Sequence, residues 1–198
     1  MAFFHSRLYQ AAEKMVNLLL LNFLWVLASL PIITIFPSTI AMFGVLRDWH
    51  MQKNEGVWKP FIRHFVKNFK ISLVMTVIWV PLAYILVTNL QILNILHSVT
   101  SVIMAFVIGL LVFILIYTTM YLFPVMVHFD LPIIQLIKNA FFIASSQWKS
   151  TSIGLVILLM SGFFLYQFPA LIIFATSIIS YLIYQNCYSA FKNIGASY

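Results

Sequence analysis

The side chains that could do chemistry are few and scattered: four acids, five histidines and one cysteine among 198 residues. Hydrolytic or transfer chemistry needs a nucleophile with a base, a carboxylate pair or a metal cluster within hydrogen-bond reach. The chain offers no such spacing: Glu13 and Asp130 fall at the edges of apolar runs. The single cysteine, Cys187, excludes an intramolecular disulfide and a Cys-rich zinc site. The sequence therefore predicts no catalytic residue, no metal, no cofactor and no enzyme activity. What it does concentrate is positive charge. Residues 47–70, RDWHMQKNEGVWKPFIRHFVKNFK, hold six of the eleven Lys/Arg residues. There Trp58, Phe61, Ile62, Phe65 and Phe69 share one helical stripe, while Lys59, Arg63 and Lys67, spaced at four, share the opposing one. An aromatic face set against a basic face suits an in-plane helix at an anionic membrane surface, and equally a helix docked in a partner's groove. Trp58, Lys59, Phe61, Arg63, Phe65, Lys67 and Lys70 are thus the candidate membrane-surface or partner-docking patch.

The elements that position this patch are membrane spans. With 63% hydrophobic and 8% charged residues, the chain has too little polar surface for a water-soluble globule of its size. The net charge of +7 sits beside apolar runs, where anionic headgroups account for it better than nucleic acid does. The reading is an all-α, polytopic transmembrane bundle of one domain over residues 1–198, with two cytoplasmic amphipathic interfacial helices. A short interfacial helix over the first fourteen residues leads into a span at 16–36, twenty-one residues without a charge. Asn17 and Asn22 are its polar marks, and asparagine in lipid belongs on a neighbouring helix, so both are candidate interhelical contacts. Pro31 and Pro37 predict a bend, followed by a short return or surface segment at 37–46 and a basic cytoplasmic loop at 47–70.

A second span, 71–90, carries a kink at Pro81, and the uncharged connector with Asn94 and His97 belongs outside. Span 101–123 returns, with Tyr117 and Tyr121 placed as interfacial belt residues. The second cytoplasmic stretch, 124–150, echoes the first: Pro60 precedes Lys67-Asn68 and a span, and Pro132 precedes Lys138-Asn139 and a span. That echo predicts an internal duplication. Forty-two uncharged residues between Lys149 and Lys192, broken at Gln167-Phe168-Pro169, fit two spans, 152–168 and 170–187. Gly154 and Gly162 are candidates for close helix packing. The positive-inside bias puts the basic loop and the carboxyl terminus in the cytoplasm.

Asn22-Phe-Leu-Trp25, Ser29-Leu-Pro31-Ile-Ile-Thr34, Pro37 and FVKNFK at 65–70 resemble the YesL-type family, with Phe36 standing where members often have glycine. The resemblance implies a small bacterial inner-membrane multi-pass protein, encoded in some relatives beside carbohydrate uptake and polysaccharide degradation systems, and brings no catalytic residues. The expectation is a non-enzymatic accessory or structural component of carbohydrate uptake, meeting anionic lipid and membrane transport subunits, with no nucleic-acid partner. The alternative is a small-solute transporter or channel, which would usually carry charged groups inside the bilayer.

Overall fold

The computed structural model describes residues 2–53, 55–93 and 99–193, all of whose regular elements are helical. Among the described residues seven α-helices follow one another: α1 Ala2–Ala28, α2 Ile35–His50, α3 Trp58–Leu93, α4 Val99–His128, α5 Ile133–Ser146, α6 Trp148–Gln167 and α7 Ile172–Asn193. Among the same residues five stretches are long and apolar enough to cross a membrane: Tyr9–Ala28, Ile32–His50, Trp58–Leu93, Val99–His128 and Trp148–Gln167. At about 1.5 Å per residue, the 22 residues of α7 also match the ~30 Å hydrocarbon core.

The proline pair after α1 acts as the sequence predicts. A 3-10 turn, Ile32–Thr34, joins α1 to α2, and the Thr34 hydroxyl donates to the Ala28 carbonyl at 2.6 Å. Pro37 sits in the first turn of α2, where its missing amide hydrogen costs nothing. Phe36 is helical, so this turn closes without the positive φ that glycine would supply. α2 then runs through residues 37–46 to His50 and is mostly buried, packed against α3 and α4, so it is a helix of the bundle and not a surface segment.

α3 corrects the reading of residues 47–70. No separate in-plane helix lies there: α3 starts at Trp58 and runs 36 residues without a break, through Lys70 and Pro81, to Leu93. Nothing between Lys70 and Ile71 can stop a helix, since both residues form helix readily. The connector's Asn94 and His97 lie outside the described residues, as do the side chains of Phe3, Phe4, His5, Arg7 and Leu8 in the expected amino-terminal surface helix.

In the second half, α5 is a short amphipathic helix as expected. Its apolar positions Leu136, Ala140, Ile143 and Ala144 are buried in the protein's own core. Of the two tyrosines expected at the interface, Tyr121 is internal and Tyr117 half-buried. Tyr121 is fully buried and accepts a hydrogen bond from Thr151, and Tyr117 donates to the Ala144 carbonyl at 2.6 Å. In the proposed duplication α3 is one helix, while its counterpart, 133–167, is divided at Gln147 into α5 and α6. Lys67-Asn68 lies in α3 and Lys138-Asn139 in α5.

Polar side chains tie the helices together. Asn22 of α1 is fully buried, donating to the Ile172 carbonyl at 3.3 Å and accepting the Ser177 amide at 3.0 Å, which fixes α1 against α7. Trp25 reaches Thr39 at 3.1 Å, Trp79 reaches Thr119 at 2.7 Å and Asn186 reaches the Ser150 carbonyl at 2.5 Å. Gly154 allows close packing, since a Cβ there would meet the Met120 methyl at 2.1 Å; Gly162 faces open space.

Candidate functional site

The charged site forms where α2 stops and α3 starts. Leu46 ends the apolar part of α2, and Arg47-Asp48-Trp49-His50 extends the helix beyond it. A turn with Gln52 at φ 57° and Gly56 at φ 70° then reverses the chain. The reversal sets Asp48 beside the first two turns of α3. Its side chain, only 2% exposed, accepts from Arg63 Nη2 at 2.7 Å, His64 Nε2 at 2.8 Å and Lys53 Nζ at 3.4 Å. Arg63 uses its other nitrogen on Glu55 at 2.6 Å, so one guanidinium bridges two acids.

Close approach of the helices is what permits this. A Cβ at Gly44 would stand 2.3 Å from the His64 ring, so glycine there lets α3 lay His64 across α2. Asn68, one turn on, bonds back to the His64 carbonyl at 3.1 Å. A carboxylate as buried as that of Asp48 needs the Arg63 and His64 donors, because leaving its charge unpaired away from water would be costly. The arrangement keeps one buried carboxylate satisfied three times over. It has the chemistry of a latch between two helices.

Beside the latch lies a cavity of about 590 Å³ between α1, α2, α7 and the 51–57 turn, lined among others by Gln10, Glu13, Lys14, Asn17, His50 and Tyr181. Lys14 bonds the Tyr181 hydroxyl. The His50 ring sits 5.6, 4.9 and 5.3 Å from the rings of Tyr181, Tyr184 and Tyr188, with Nδ1 at 2.9 Å from the Leu46 carbonyl. Carboxylate, ammonium, amide and aromatic edges therefore converge on one space. Such a set can hydrogen-bond a small polar solute.

The expected patch is divided by the structure. Phe61 is buried in the core at 4% exposure and Phe65 is half-buried against it, whereas Trp58 is exposed. The packed face of α3 follows Phe61, His64, Asn68, Ser72, Met75 and Trp79. The basic residues part company as well: Arg63 belongs to the latch, Lys67 pairs with Asp130 at 2.9 Å, and Lys59 and Lys70 are exposed. Asn22 is an interhelical contact as expected, while Asn17 lines the polar cavity. Asp48 and His64 were not singled out by the sequence, although His64 stands three residues after Phe61 and four before Asn68, on the buried face. Among the described residues no group of three or more His, Cys, Asp or Glu could hold a metal ion.

A bundle of long apolar helices with its charges gathered at helix ends defines a multi-pass membrane protein. Residues 18–90, from α1 through the latch into α3, match the family model described as Protein of unknown function, DUF624. YesL of Bacillus subtilis strain 168, an uncharacterized protein, is 30% identical over 193 residues, covering 88% of this chain and 84% of its own. The uncharacterized YesV of the same organism is 31% identical over 176 residues, covering 84% and 82%, and YteU is 26% identical over 181 residues, covering 89% and 81%. The chain belongs to this YesL-type DUF624 family. No solved structure matches it.

Proposed function

We propose that the protein is a non-enzymatic accessory or structural component associated with carbohydrate uptake in the bacterial inner membrane. The observation that carries this reading is the commitment of three of its four acids to ion pairs. Asp48, Glu55 and Asp130 are each ion-paired to a Lys or Arg, and an acid held in such a pair is poorly placed to transfer a proton. The association with carbohydrate uptake rests on what the family resemblance implies. In this reading the latch and the carboxyl terminus face the cytoplasm, where the basic residues are retained during insertion. Transport subunits would meet the bundle along its apolar sides.

The polar cavity favours a second reading, a small-solute transporter in its own right, because Glu13, Lys14 and Asn17 offer both charge signs and an amide to a solute. Two measurements separate them. Co-purification from native membranes should recover transport subunits, and liposomes holding the protein alone should take up no labelled sugar. Uptake by those liposomes would replace the accessory reading with the transporter.

A further inference from the structure

Two hollows are lined by α3, α4 and α5 and share no lining residue with the polar cavity. The first, about 310 Å³, is lined by Lys67, Asn68, Lys70, Phe129, Asp130 and Leu136 among others, where α4 ends and α5 begins. The second, about 560 Å³, is lined by Trp79, Leu82, Leu86, Leu111, Ile114 and Phe141 among others, with Lys138 as the charge in an otherwise apolar wall; Leu136 of the first hollow and Ile137 of the second are neighbours on α5. The second is open at the side of the bundle, where its Leu82, Leu111 and Phe141 are exposed.

Charge and length say what fits. Lys67 is matched by Asp130, so the excess charge of the two linings is carried by Lys70 and Lys138, both exposed. An ammonium beside an apolar groove at a membrane boundary calls for an anion held at the same depth. From Lys70 to Leu86 an α-helix rises about 24 Å, more than the ~15 Å of hydrocarbon in one leaflet. The apolar hollow takes up the last ~10 Å of that length, from Trp79 to Leu86, so the two hollows taken together match an acyl chain whose headgroup stays with the lysines.

We propose that these hollows form one binding site for an anionic phospholipid, with its phosphate at Lys70 and Lys138 and an acyl chain along Trp79, Leu82, Leu86 and Leu111. The site fixes a lipid between α3 and α5. It replaces the continuous amphipathic stripe as the place where this chain reads anionic lipid.

Native mass spectrometry of the full chain in detergent, with phosphatidylglycerol or phosphatidylcholine added, tests this. The wild type should retain phosphatidylglycerol in preference, and Lys70→Gln with Lys138→Gln should weaken it by roughly fivefold for each lysine. Leu86→Trp, which fills the groove, should weaken both lipids, and Lys59→Gln, outside the groove, should weaken neither. Equal retention of the two lipids would overturn the proposal. So would an unchanged preference in the double lysine variant, or a Lys59→Gln variant that loses phosphatidylglycerol as strongly. Displacement of lipid by a second copy of the chain, seen as a dimer mass, would assign the groove to self-association instead.

Discussion

The charged end, residues 44–68, and the far half of α3 with the near half of α4 are built on opposite terms. At the charged end, Gly44, Asp48, Phe61, His64 and Asn68 interlock, and each polar group named there has a protein partner or contact. Beyond Trp79 on α3, and before Tyr117 on α4, most side chains are exposed or half-exposed, Tyr84 at 70% and Phe106 at 74%, with Ser101 buried. The comparison teaches where specificity is stored. In the apolar half lipid replaces the core, since between apolar helices in hydrocarbon no hydrophobic force drives association. At the charged end the chain must satisfy its own polar groups, and it does so with defined geometry.

Breaking the latch should therefore give the largest effect. Asp48→Ala leaves Arg63 and His64 facing an empty buried site, and should cost about 3 kcal/mol; half-exposed Arg63 and Lys53 keep it at the lower end for broken buried pairs. Thermal unfolding in detergent reads this.

Gly44→Ala comes next, because its Cβ would collide with the His64 ring, a group pinned by Asp48. A cost of about 1–3 kcal/mol is expected from such overpacking. Gly154→Ala should cost less, since it meets the flexible end of Met120. Equal losses in the two variants would contradict the idea that the charged end is the stiffer region.

Much of this architecture was legible in the sequence. Uncharged runs of span length, the proline-bracketed turn at 31–37 and the buried role of Asn22 all follow from residue type and spacing. The latch was not, because Asp48 and His64 are 16 residues apart across a turn and no periodic pattern links them. The aromatic stripe misled for a related reason. Trp58, Phe61, Phe65 and Phe69 do share a helical face, but the packed face of α3 is rotated towards His64, Asn68 and Ser72. That rotation is set by Gly44 and Asp48 on α2, which hydrophobic periodicity within α3 cannot sense.

Asn22→Leu sharpens the comparison from the other side, removing bonds to Ile172 and Ser177 deep in the apolar region. The loss should be ~0.6–2 kcal/mol, the range for interhelical polar bonds in lipid, read by the same thermal unfolding. Asp130→Asn should be the mildest, at most about 0.5 kcal/mol, because the Lys67–Asp130 pair is largely exposed and screened by salt. A loss from Asp130→Asn as large as from Asp48→Ala would erase the distinction between a buried latch and a surface pair.

The central claim, that the start of α3 is locked into the protein through Phe61 and the latch, is tested most directly at positions 58 and 61. Single cysteines placed there, with buried Cys187 replaced by serine, can carry a small fluorophore exposed in turn to aqueous and lipid-borne quenchers. The account predicts ready labelling and quenching at position 58, and at position 61 poor labelling in the native protein that rises when Asp48→Ala opens the latch. Efficient labelling at position 61 in the native protein, with strong quenching from lipid equal to that at position 58, would contradict it.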